Sequence, residues 1–237
     1  MITVTKFNDL GHFRNEWLNA RHHFSFGEYH DPNRMGVGAL RVWNDDEVAA
    51  GRGFDPHPHR DMEIITYVRE GAITHRDSLG NEGRTAAGDV QVMHAGRGIT
   101  HAEYNLEDGP TRLFQIWLVP NQRGVAPGWA AREFPRAGKT GALPVLASGD
   151  AADVESGALP LYANGRVRAG TLDAGQSVTV PLAPGRAAYL VAARGAISVN
   201  DRPAGTRDGV TVVDESSLVI KATDAAEIVL VEVDKAG

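Results

Sequence analysis

Two short segments of this 237-residue chain carry the side chains best suited to metal chemistry: His57-Pro58-His59 and His101-Ala102-Glu103. In each, the candidate ligands are two residues apart. On a β-strand that spacing puts both side chains on one face. If both segments are strands on facing walls of one sheet or barrel, three imidazoles and one carboxylate converge. Such a set suits a divalent first-row transition metal, and iron, manganese, cobalt, nickel, copper and zinc all accept it. It leaves about two positions of an octahedron open. These can take a bidentate oxygen ligand, or one oxygen donor and O₂. Glu103 is also the natural base for a proton released from a bound hydroxyl.

The elements that must position these residues read as strands. Pro56 and Pro58 flank His57 and lack an N–H, so this segment belongs on an edge strand or at a strand entrance. Met62 to Val68 reads as a buried strand, with Glu70-Gly71 as its turn. Ala72–His75 and Gly83–Ala86 read as a hairpin around Asp77–Asn81. The Ala95-Gly96-Arg97-Gly98 loop delivers His101 and Glu103, and Leu113 to Val119 reads as a further strand. Upstream, Ile2 to Phe7 suggests a first strand, and Gly38 to Asn44 a later one with Asn44-Asp45-Asp46 as its turn. The Gly, Pro and Arg-rich stretch from Pro120 to Pro144 reads as a link between two halves. Beyond it, short strands are expected at 167–172, 177–181, 187–192, 196–200, 209–213, 217–222 and 227–233, a sandwich or barrel pattern. All nine histidines lie at or before position 101, so only the first half can hold a site of this kind.

Composition narrows the function. The chain has no cysteine, which excludes disulfides, thiolate metal sites, iron–sulfur clusters and cysteine nucleophiles. Its net charge of −6 argues against direct, electrostatically held nucleic acid. No apolar run approaches the roughly 18 residues of a membrane span, and the N-terminus lacks a signal pattern, so the expected location is the cytoplasm. A hydrolase elbow of the GxSxG type is missing. His75-Arg76-Asp77 looks like part of a kinase catalytic loop, but the Asn that follows is one residue early and no ATP loop precedes it.

Other side chains compete for roles around the site. Glu63 and Asp61 are candidate hydrogen-bond acceptors for the ligating histidines, since such rings usually give their other N–H to a carboxylate or carbonyl. His75 is expected to be solvated at the start of its hairpin, and His94 to buttress the glycine loop. His22, His23 and His30 could line the barrel mouth, with surface placement the first expectation. Trp43, Phe54 and Trp117 could wall an aromatic pocket or fill the core.

The segments HHFSFGEYHDP (22–32), MGVGALRVWNDD (35–46), FDPHPHRDMEIITYV (54–68), HRDSLGN (75–81) and AGRGITHAEYN (95–105) resemble the pirin family of the cupin superfamily. Gly51-x5-His57-x-His59-x3-Glu63-x7-Gly71 and the segment from Gly88 to Asn105 resemble the two cupin motifs. The second motif departs in its glycine spacing and in having His94 where cupins often have Pro. The resemblance implies an all-β bicupin: two antiparallel β-barrel (jelly-roll) domains, with a metal-binding cupin at 1–135 and a degenerate cupin without a metal site at 140–237. It implies one divalent transition metal per chain, iron first, held by His57, His59, His101 and Glu103. Some bacterial members act as quercetin 2,3-dioxygenases, so the expected partners are a flavonol-like substrate and O₂, with the chain a monomer. Eukaryotic members have been described as iron-dependent transcriptional co-regulators. The rival readings are therefore a regulatory protein without turnover, and a different cupin enzyme with a non-redox metal.

Overall fold

Short runs of β-branched and aromatic residues, separated by Gly, Asp and Asn turns, fold into four sheets among the described residues. The computed structural model describes residues 1–134 and 139–235. In the first half, a seven-stranded support sheet runs in the order Gly128–Arg132, Val90–His94, Glu63–Glu70, Thr111–Leu118, Leu40–Val48, Leu18–His22, Gly11–Arg14. A four-stranded ligand sheet runs Gly53–His59, Ile99–Tyr104, Ala72–Asp77, Glu82–Ala86. The second half repeats the plan with a seven-stranded and a four-stranded sheet. This is the cupin jelly-roll expected of the sequence, although the sheets are not closed barrels.

Alternation along the support sheet separates two functions. Trp43, Ile65, Tyr67, Phe114 and Ile116 point away from the site and pack with Tyr189, Val191, Val229 and Val231 of the second half in one apolar core. The intervening residues Asn44, Thr66, Gln91 and Gln115 face the ligand sheet. The interior of the second half is filled by Leu190, Val210, Val212, Leu218, Ile220, Leu230 and their neighbours. Among the described residues, both groupings of metal-capable side chains lie in the first half, and the interior of the second is packed with aliphatic side chains.

Several expectations need correction. Asn44-Asp45-Asp46 is no turn: the strand continues from Leu40 to Val48. Asp45 is buried within it and meets Arg69 and Arg207. Within the expected link, Gly128–Arg132 is a strand paired with Val90–His94, while 135–138 lie outside the described residues. The first strand, Ile2–Thr5, pairs with Gly209–Val213 in the second half's sheet, so the expected 1–135 unit starts with a strand lodged in its neighbour. Among the described residues, no helix is long and apolar enough to cross a membrane.

Candidate metal centre

His57 and His59 lie on Gly53–His59, an edge strand as its prolines require. Its antiparallel neighbour Ile99–Tyr104 carries His101 and Glu103. The register pairs His101 with His57, and a bulge follows, so that Glu103 pairs with Phe54. Gly53 lets the two backbones close up here, because a Cβ at this position would sit 2.2 Å from the Glu103 carbonyl oxygen.

The three rings converge. Candidate ligand atoms of His57, His59 and His101 lie within 4.8 Å of one another, and the Nε2 atoms of His57 and His101 are 3.0 Å apart. His57 Nδ1 is fixed by the Asp55 carbonyl at 2.7 Å. His59 Nε2 is buried without a hydrogen-bond partner. Burial first, then the neighbouring rings His101 and His57, push the His59 pKa down to about 4. Burial, His57 and His75 push His101 down to about 3. At neutral pH both rings are therefore neutral and available to a cation without losing a proton.

Glu103 is held by a row of polar residues across the support sheet. The strand registers align His22, Asn44, Gln115, Thr66 and Gln91 side by side on neighbouring strands. Glu103 Oε1 accepts from Gln91 Nε2 at 2.6 Å and Thr66 Oγ1 at 3.2 Å, and Oε2 accepts from Gln115 Nε2 at 2.7 Å. All its donors are neutral. Among the described residues no cationic side chain pairs with this carboxylate, which is 2% exposed. A buried carboxylate without a counter-charge is costly. Together with the orphaned His59 Nε2 and the neutral rings, it fits a divalent cation. The fourth ligand is less converged than the sequence suggests: Glu103 groups with His101 and His75, within 4.8 Å, rather than with His57 and His59.

The family profile named Pirin matches residues 4–118, and the profile described as quercetinase C-terminal cupin domain matches 145–233. A Pseudomonas aeruginosa protein, named provisionally as a quercetin 2,3-dioxygenase, is 59% identical over 98% of this chain and all of its own length. The chain belongs to the pirin family. The quercetin 2,3-dioxygenase of Escherichia coli K12 is 39% identical over 97% of each chain. The crystal structure of the bacterial pirin YhhW from Escherichia coli in complex with nickel(II) superposes with a TM-score of 0.93 at 36% identity, covering all of both chains.

Beside the histidines, this pirin-family chain has a cavity of about 360 Å³, within the roughly 300–1,000 Å³ of small-molecule sites. Its apolar walls are Trp17, Phe26, Phe54 and Trp117. Of the three expected aromatics, Phe54 and Trp117 line it and Trp43 is core. The polar part of the wall includes His22, Asn44 and Asp46. Asp46 Oδ1 is buried and unpartnered, and burial, then Asp45 and Glu103, push the carboxyl well above its usual range. Sequence reasoning missed Asn44 and Asp46 because it read them as a turn.

The other expectations resolve as follows. Glu63 does not share a face with His59, because the chain breaks at Asp61, whose φ is +47°. Glu63 instead binds His94 Nδ1 at 2.6 Å and accepts from the Tyr162 amide at 3.0 Å, tying the two halves together. This explains His94 as well. Asp61 accepts from Gly124 N. His22 and His23 are buried, not superficial: His22 lines the cavity and His23 bonds Tyr189 in the inter-half core. His30 is exposed as expected. His75 is fully buried, 3.3 Å from His101.

Proposed function

We propose that this chain is a metal-dependent dioxygenase of the quercetin 2,3-dioxygenase type. His57, His59, His101 and Glu103 hold one divalent transition metal, and a flavonol-like substrate lies in the cavity beside them. The observation that carries this reading is the aromatic cavity opening directly onto the three histidines. A purely structural or redox-sensing metal needs no such cavity. The names of the relatives support the same activity, and the nickel-bound relative supports metal binding by a chain of this fold. Iron is our first choice of metal, with nickel next. We assign the metal-binding role to residues 1–135 and a packing role to 140–237, in a cytoplasmic monomer that uses neither nucleic acid nor membrane.

Lewis acidity toward a flavonol's 3-hydroxyl and 4-carbonyl is what a bound metal supplies here. The chain does the rest. Trp17, Phe26, Phe54 and Trp117 hold the flat rings and exclude water. Glu103 Oε2 accepts only from Gln115, so it keeps a lone pair for the ion or for the proton of the 3-hydroxyl. Asp46 offers a hydrogen-bonding group to a substrate hydroxyl deeper in the cavity. In the overall reaction one O₂ enters, the central ring opens and one carbon monoxide leaves.

Quercetin added to protein loaded with iron(II) or nickel(II) should consume O₂ and release carbon monoxide one to one. Metal-stripped protein and His101→Ala should do neither. If no metal among iron, manganese, cobalt, nickel, copper and zinc supports uptake, the dioxygenase reading fails and the regulatory one gains.

A further inference from the structure

His75 and Asp77 lie behind the metal cluster, on the Ala72–Asp77 strand of the ligand sheet. The register pairs Asp77 with His101 and His75 with Glu103. Both side chains are completely buried. They form a chain of contacts: Asp77 Oδ2 to His75 Nε2 at 2.9 Å, then His75 Nδ1 to His101 Nδ1 at 3.3 Å. Asp77 is itself fixed, its Oδ1 accepting from the amides of Leu79 and Asn81 and its Oδ2 from Asn81 Nδ2. The His75 ring stacks on Trp129, with centroids 4.8 Å apart and an interplanar angle of 7°. Trp129 can reach it because the residue paired with His75 is Gly83, where a Cβ would sit 2.2 Å from the indole.

Donor and acceptor roles along this chain follow from one end. An ionised carboxylate only accepts, so His75 Nε2 carries the hydrogen. A neutral His75 then presents a bare Nδ1, which can only accept. His101 must therefore donate from Nδ1, and its Nε2 is left bare on the side facing His57. A bare Nε2 is what a metal needs. We propose that Asp77 and His75 are positioning residues that lock His101 in the tautomer presenting Nε2 to the metal. The proposal rests on the metal reading of the three histidines.

Asp77→Asn tests it and keeps the backbone bonds of the turn, with the Asn81 side-chain amide flipping to accept from the new nitrogen. The amide oxygen can still accept from Leu79 and Asn81, while the amide nitrogen takes the place facing His75 Nε2. That forces a hydrogen onto His75 Nδ1, against the Nδ1–H of His101. His75→Phe keeps the stacking on Trp129 and removes the relay. Copper(II) and nickel(II) are the probes, with affinity measured by competition against a chromophoric chelator. Each variant should lose 10–100-fold in affinity, the range for lost outer partners of ligating histidines. Urea unfolding of the metal-free proteins should show both variants folded. In the copper(II)-loaded proteins, electron spin echo modulation reads the remote nitrogen of each bound imidazole. Asp77→Asn should change that signal for one of the rings, which loss of packing alone would not do. Wild-type affinity with an unchanged remote-nitrogen signal in folded Asp77→Asn would overturn the proposal. Failure of the wild type to bind either metal would overturn the metal reading beneath it.

Discussion

Glu103→Gln, saturated with metal, should lose at least about 100-fold in flavonol turnover, the lower end of what a positioned base contributes. The substitution is close to isosteric. Its amide oxygen can replace Oε1 and still accept from Gln91 and Thr66. Its amide nitrogen then meets Gln115, whose own amide must flip to accept. The fold should survive, and the three rings of His57, His59 and His101 should still hold an ion at high metal concentration. What is lost is the buried negative charge and the lone pair able to take the substrate's proton. Steady-state O₂ uptake alongside metal analysis separates the two contributions. Full turnover by a fully metallated Glu103→Gln would remove Glu103 from the proton step.

The largest stability effect should come from Asp45→Ala. Asp45 is completely buried and receives Arg69 at Oδ1 and Arg207 at Oδ2, the second at 2.5 Å. Arg207 is more than 160 positions away in sequence, so the pair joins the two halves. Arg69 lies over the Phe114 ring and is 9% exposed. Burial lowers its pKa against the opposing pull of Asp45. Removing the carboxylate leaves a buried guanidinium without its anion, a change that typically costs about 3–5 kcal/mol. For a chain of this size that is a fall of roughly 6–20 °C in melting temperature. Urea unfolding should show it with and without metal alike. A loss under about 1 kcal/mol would mean that water or another acid compensates Arg69.

The convergence of His57, His59 and His101 was legible because strand geometry converts a spacing of two into a shared face, whereas the register shift against Gly53–His59 between His101 and Glu103, and the grouping of Glu103 with His75, were not. The proline pair made the edge strand legible in the same way. In the second half, the strands at 177–181, 209–213 and 217–222 have the boundaries their turn residues suggest. Two of the departures share one cause. Asn44-Asp45-Asp46 has the composition of a turn, but arginines from elsewhere in the chain and a cavity on the other face hold it in a strand. His75 sits in a polar local sequence, yet Trp129 covers it from a strand that the composition of 120–144 hid. Glu63 keeps the spacing of the cupin motif but is rotated out of the site by the backbone at Asp61. For the first two the deciding partner is distant in sequence, where local pattern carries no information; for Glu63 it is the positive φ of Asp61 two residues away, which spacing alone does not show.

The structure offers two groupings of metal-capable side chains that share His101: one with His57 and His59, the other with His75 and Glu103. Anomalous diffraction at the metal edge, from crystals soaked with iron(II) or nickel(II), separates them directly. The account predicts one peak, about 2.0–2.2 Å from the Nε2 atoms of His57, His59 and His101 and from a Glu103 oxygen. A peak against His101 Nδ1 and His75, or no peak at all, would contradict it.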